Sequence, residues 1–405
     1  VLEIIYKQPG FNSFMQKNHF RIDDSINAIE GLKCWGIKDG KNGLGIVVCD
    51  GKVAGVFTTN KIKAAPIIFT QKNIKKGIIR GLVVNSGNAN AYTGEEGLKN
   101  TEKMAHFLAS KLNCDKTEIA VCSTGIIGKQ LDMGLIEKQI EEVYEKLESS
   151  REAALNFARS IMTTDSFPKE YAVKAGDCVI AGVAKGAGMI SPSMQATMLA
   201  FIFTDAYFEP EELQEMISRV ADMSFNVATV DGDTSTNDTL LIISTGKKRV
   251  ERGVFERALF EVCFELSKMI VRDGEGATKV FEIHVMDAKS DEDAFKAAKT
   301  VANSLLVKTA IFGSDPNWGR IIAALGYSGV ELTDRITLWF ERDDERVYLL
   351  KEGVQTGLEN EAARFLRDVD DFRICVSLHC GTGRGYAIGC DLTYDYVKLN
   401  AEYTT

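Results

Sequence analysis

Six consecutive apolar residues, 198–203 (MLAFIF), require burial on every side. Such a run fits a strand covered on both faces or a short buried helix, and periodicity alone does not separate the two. What precedes it is opposite in character. Residues 185–193 (KGAGMISPS) read as irregular, because Gly186 and Gly188 open backbone angles closed to other residues, while Pro192 fixes its own φ and biases Ser191 toward extended backbone. The chain therefore reaches Ala196 and Thr197 through a loop and leaves through a rigid element.

That junction suits a threonine that attacks the carbonyl just before it. Thr197 Oγ reaches the Ala196 carbonyl only from a distorted turn, and the small Ala196 side chain leaves the approach open. An N-to-O acyl shift followed by ester hydrolysis would cut the chain and give Thr197 a free α-amine. Such an amine titrates near ~8, so part of it is neutral at pH 7 and can take the proton of its own hydroxyl. No histidine is then needed. An ordinary glycine turn ahead of a core strand is the plainer reading of the same residues.

At 405 residues the chain has room for two lobes or one large layered domain. Its net charge of -9 argues against nucleic acid and against an anionic membrane surface as partners, although a locally basic pocket is compatible with it. The nine cysteines form no CxxC pair, which reads as reduced, packed thiols and argues against zinc. The first residues show no basic segment followed by an apolar one, and no apolar run approaches the ~20 residues that span a bilayer. A cytosolic location is expected.

Up to about residue 130 the pattern predicts short strands, at 44–49, 53–59, 78–85 and 118–123, broken by DGKNG, DGK and KKG turns. Two strand ends carry polar clusters, NSGNANAYTG at 85–94 and STGIIG at 123–128. Each reads as a capped turn leading into a helix or as a site built at a strand end. Helices are predicted at 135–147, 156–162, from Pro210 onward, at 254–270, at 290–306 with Ser290 as cap, and at 358–369. Two short strands are expected within 171–184, one at 240–244, and one in 307–320 followed by a turn. DGDTSTND lacks the spacing and terminal glutamate of a calcium loop. GTGRG at 381–385 lacks the lysine and helix of a phosphate loop and reads as a tight strand-to-strand turn. The four histidines neither cluster nor sit beside a nucleophile elbow, so each reads as structural. No linker stands out, and the natural division is the Ala196–Thr197 bond.

Together these segments resemble the ornithine acetyltransferase family of arginine biosynthesis, also called glutamate N-acetyltransferase. The similarity runs through GVFTTNKIKAAP, VVNSGNANAYTG, STGIIG, MTTDSFPK, KGAGM with ATMLAF and TDA, VDGDTSTNDT, VRDGEGATK, VKTAIFGSDPNWGRI and CDLTYDYVKLNAEYTT. It implies an α/β fold of the α+β type, with layered sheets between helices, similar to self-processing aminopeptidases. It also implies two segments, 1–196 and 197–405, that form one interlocked catalytic unit and pair as a dimer of heterodimers. The stretch from Pro192 to Thr197 is one residue longer than the family's usual PxMAT.

Carried over by motif, the resemblance makes Thr197 the nucleophile, its amine the base, Ala196–Thr197 the bond that is cut, and Thr124 with Gly125 the oxyanion donors. Substrate would be held by Thr163, Lys185, Thr197, Glu275, Asn400 and Thr405, with Thr164 a close competitor for the role of Thr163. The implied reaction is ping-pong transfer of acetyl from N-acetylornithine to glutamate, releasing ornithine, with no metal or redox cofactor. Acetyl-CoA enters only as a second donor that some members use. The alternatives are a self-processed threonine amidohydrolase or aminopeptidase, and an uncut amino-acid-binding relative.

Overall fold

The apolar run after residue 197 is a strand. Residues Leu199–Ala206 are buried at every position, as a run with no polar face requires. The computed structural model describes residues 19–191 and 198–402. In chain order these form β1 (His19–Arg21), β2 (Lys33–Asp39), β3 (Asn42–Phe57), α1 (Ala65–Asn73), β4 (Ile78–Asn88), α2 (Gly94–Leu112), β5 (Ile119–Ile126) and α3 (Met133–Glu145). Next come α4 (Arg151–Ser160), β6 (Lys169–Ala175), β7 (Cys178–Lys185), β8 (Leu199–Ala206), α5 (Pro210–Met223), β9 (Ala228–Thr229), β10 (Thr239–Lys248) and α6 (Arg252–Arg272). The chain continues with β11 (Val280–Ala288), α7 (Asp291–Asn303), α8 (Leu305–Phe312), α9 (Trp318–Tyr327), β12 (Thr337–Arg342), β13 (Glu345–Lys351) and β14 (Val354–Gln355). It closes with α10 (Glu359–Asp368), β15 (Asp371–Ser377), β16 (Gly383–Cys390) and α11 (Tyr394–Glu402).

Two compact units share the chain: residues 19–226 with 233–273, and residues 227–232 with 274–402. In the first, nine strands run in the order β1-β6-β7-β8-β10-β3-β4-β5, with β2 also on β3. Strand β3 serves both halves of this sheet, pairing β4 over Gly43–Lys52 and β10 over Lys52–Phe57. Because β3 changes partner along its length, the sheet folds over on itself. Val47, Val84, Ala120 and Cys122 from one half meet Val183, Phe201, Phe203 and Leu241 from the other in a single core, joined by Phe157 of α4. On the outer face of one half, Met104 and Leu108 of α2 and Ile136 and Ile140 of α3 cover Leu44, Ile46, Val83 and Val121. On the outer face of the other, Gly182 lets α6 approach so closely that a Cβ there would lie 2.6 Å from Leu266. The order of layers is helix, sheet, sheet, helix.

The second unit is a seven-stranded sheet, β14-β13-β12-β15-β11-β16-β9. Its core joins Phe281, Ile283 and Val285 of β11 to Ala297 and Val301 of α7, Ile321 and Leu325 of α9, and Phe365 and Leu366 of α10.

The structure corrects five expectations. The first 130 residues are not all strand and turn, since α1 and α2 lie among them. The β-branched run of α1 imitates a strand, and α2 is diluted by Gly97, Asn100 and Thr101, poor helix formers that are buried here for packing. The DGK at 50–52 is not a turn but a bulge within β3, where pairing with β4 shifts register between Val48 and Gly51. The helix expected at 290–306 is two, and the strand expected from Val307 is α8. Ser304 ends α7 through its N–H to Val301 O (3.1 Å) and starts α8 by accepting from Val307 N (3.4 Å). Finally, β15 and β16 flank β11 on opposite sides, so residues 378–382 carry the chain past the end of β11, and Gly383 to Gly385 of the GTGRG segment already belong to β16 instead of closing a tight turn.

Candidate active site

Thr124 and Gly125 sit at the end of β5, where it runs parallel to β4 with Ser86 opposite Thr124 and Gly87 opposite Gly125. Gly125 has φ 128°, and a Cβ on it would lie 2.3 Å from the carbonyl carbon of Gly87. Only glycine fits, because no other residue could adopt that angle at that approach. The two polar clusters seen in the sequence thus meet at adjacent strand ends.

Lys185 closes β7, is 8% exposed, and donates from Nζ to Thr124 Oγ1 at 3.3 Å. A second tie runs through the segment that opens β10. Asn237 Nδ2 donates to Ala89 O (2.6 Å) and Ser123 O (2.8 Å), and its Oδ1 accepts from Thr236 Oγ1 (2.6 Å). Two residues on, Thr239 N donates to Met198 O at 2.9 Å. One short segment, 237–239, therefore holds both the residue before Thr124 and the residue that follows position 197. Thr234 Oγ1 donates to Ser191 O (2.9 Å), fixing the far side of the same loop. Ala196, Thr197 and Thr405 lie outside the described residues.

Thr163 and Thr164 are both half-buried, and the Thr163 N–H donates to Asp165 Oδ2 at 2.9 Å. Asp165 has its side chain fully buried and also accepts from Gly186 N at 2.6 Å and from Lys169 Nζ at 2.7 Å. Burial alone would raise its pKa, but the cations of Lys185 and Lys169 outweigh that and hold the carboxyl well below the usual range. Lys169, itself buried, reaches Asp273 at 2.5 Å, and Asp273 accepts from Ser166 N at 2.9 Å. Lys38 adds a contact from Nζ to Ser86 Oγ (2.8 Å) and one to Met162 O.

Asp238 is 2% exposed, and its Oδ2 has no hydrogen-bond partner among the described residues. Burial pushes its pKa well up against the pull of the Ser235 and Thr58 hydroxyls and the Lys185 charge.

In the second unit, Asn400 Nδ2 donates to Glu275 Oε2 at 2.8 Å and to Tyr396 O at 3.0 Å. Gly276 (φ 69°) makes room for α11, since a Cβ there would lie 2.5 Å from Tyr396 N. The structure thus gathers Thr124, Gly125, Lys185 and Thr163 in one unit and Glu275 with Asn400 in the other. Sequence reasoning assigned no role to Asp165, Lys169, Asp273, Asn237 or Asp238. The Asp165–Lys169 spacing of four was the one visible hint.

The ArgJ family pattern matches residues 29–405. The chain belongs to the ArgJ family. A relative from Archaeoglobus fulgidus, named arginine biosynthesis bifunctional protein ArgJ, is 55% identical over 381 residues, covering 94% of this chain and 100% of the relative. A second relative, glutamate N-acetyltransferase of Methanocaldococcus jannaschii, is 44% identical over 401 residues, covering 95% of this chain and 99% of the relative. A solved chain of the ArgJ protein of Bacillus halodurans is 43% identical and covers 50% of this chain and 98% of its own, with a TM-score of 0.46. Among the described residues no helix is long and apolar enough to cross a membrane.

Proposed function

We propose that this chain is a cytoplasmic glutamate N-acetyltransferase of arginine biosynthesis, moving acetyl from N-acetylornithine to glutamate through an acetyl-Thr197 intermediate. The names of its relatives support the activity. The observation that supports the site is the 237–239 segment, which ties Met198, the residue bonded to Thr197, to the strand end carrying Thr124 and Gly125.

The chain first cuts itself. Thr197 Oγ attacks the Ala196 carbonyl, the acyl group moves from nitrogen to oxygen, and water cleaves the ester, leaving segments 1–196 and 197–405 and a free α-amine on Thr197. That amine then takes the hydroxyl proton as Thr197 attacks the acetyl carbonyl of N-acetylornithine. Thr124 Oγ1 and Gly125 N–H stabilise the tetrahedral oxyanion, each such donor being worth ~3 kcal/mol of barrier. Ornithine departs with a proton, and the amine of glutamate takes the acetyl group from the threonine ester. Lys185 receives the substrate α-carboxylate with Thr163 beside it. Glu275 receives an ammonium group, and Asn400 and Thr405 add neutral hydrogen bonds. Both segments complete the catalytic unit, and two such heterodimers pair. No metal or redox cofactor takes part, and acetyl-CoA serves at most as a second donor.

Purified protein incubated with N-acetylornithine tests the reading. Ornithine release should require glutamate and match the N-acetylglutamate formed. Acetate released at the same rate without glutamate would indicate a hydrolase and refute the transferase.

A further inference from the structure

Asp165 is held from several sides at once. Lys169 bonds both Asp165 (2.7 Å) and Asp273 (2.5 Å), and Asp273 carries Ser166 N on its other side. The oxygens of Asp165 are divided between two pieces of chain. Oδ2 holds the N–H of Thr163, and Oδ1 holds the N–H of Gly186, the residue after Lys185. A fully buried carboxylate bonded to main chain on both sides leaves those pieces little freedom to drift apart.

We propose that Asp165 is a positioning residue: its carboxylate sets the spacing of Thr163 and Lys185, and through it the affinity for the carboxylate end of the amino-acid substrate. The inference rests on reading Thr163 and Lys185 as substrate ligands. Among the described residues Asp165 bonds Thr163 N, Lys169 Nζ and Gly186 N, so its loss should weaken binding and spare the chemical step. Hydrogen bonds to a charged group are worth about 1.5–3 kcal/mol, which corresponds to roughly 10- to 100-fold in affinity.

Initial rates with N-acetylornithine and with glutamate test it in Asp165→Asn, Asp273→Asn, Lys185→Ala and the Asp165→Asn/Lys185→Ala double variant. Asp165→Asn should raise KM about 10- to 100-fold with kcat within about threefold. Asp273→Asn loses a partner of the same buried lysine, so it should lower the melting temperature while KM stays within about threefold. In the Lys185→Ala background, Asp165→Asn should add no more than about threefold to KM, because its effect runs through Lys185. Should Asp165→Asn fail to fold, Asp165→Glu keeps the charge but displaces the oxygens, and it too should raise KM. A raised KM in Lys185→Ala with an unchanged KM in the Asp165 variants would overturn this proposal alone, as would equal increases in Asp165→Asn and Asp273→Asn. An unchanged KM in Lys185→Ala would instead overturn the assignment of substrate ligands.

Discussion

At the residue scale, buried charge decides which carboxyls are ionised. Asp165 has two cations within reach and stays charged, whereas Asp238, with one oxygen unpartnered, has its pKa pushed well above 3.8. The consequence for stability has a definite sign. Below the unfolded value, near 3.8, Asp238 is protonated in both states and costs nothing. As pH rises above it, the unfolded carboxyl ionises while the buried one keeps its proton, so the fold loses stability until the folded pKa is passed, by at most about 1.4 kcal/mol per pH unit. Asp238→Asn, which cannot titrate, should therefore gain on the parent protein between pH 4 and pH 7 in urea unfolding. A difference that stays constant over that range would contradict the assignment. Thr124, Gly125 and Lys185 became candidates through the resemblance, because the motifs that carry it are local. Asp165 was not legible, since the main-chain group it holds beside Lys185, Gly186 N, lies 21 residues further along the chain.

At the element scale, amphipathic helices and caps were readable, and partner-dependent features were not. Ser290 caps α7 as its position before three acidic residues suggested, accepting from Asp293 N at 3.1 Å. Ser290→Ala should cost about 1 kcal/mol in urea unfolding, and no loss would show the cap to be idle. The strand from Leu199 was resolved from its helical alternative only by its neighbours, β7 antiparallel on one side and β10 parallel on the other. The length of β3 was hidden because the DGK that looks like a turn bulges between partners. In α1, a run of Ile67, Ile68 and Phe69 after Pro66 reads locally as strand, and its docking among α2, β3 and β5 makes it a helix.

For the whole molecule, the layered α/β architecture was implied by the resemblance, and each of the two units has its own sheet and core. Their boundary was not legible. The chain leaves the first unit at residue 226, returns at 233 and leaves again after 273, within VRDGEGATK, a segment that composition does not mark as a linker. The division proposed for Ala196 and Thr197 is of another kind, a cut within the sequence of the first unit that leaves the strand pair β8 and β10 to begin the second segment. That cut is the central claim, because the same hydroxyl must sever the chain before its amine can serve as base. Intact-mass measurement of the purified protein beside Thr197→Ala tests it most directly. The parent should give two species with masses of residues 1–196 and 197–405, and Thr197→Ala one uncut, inactive species. A single full-length mass for the parent, or an active Thr197→Ala variant, would contradict it.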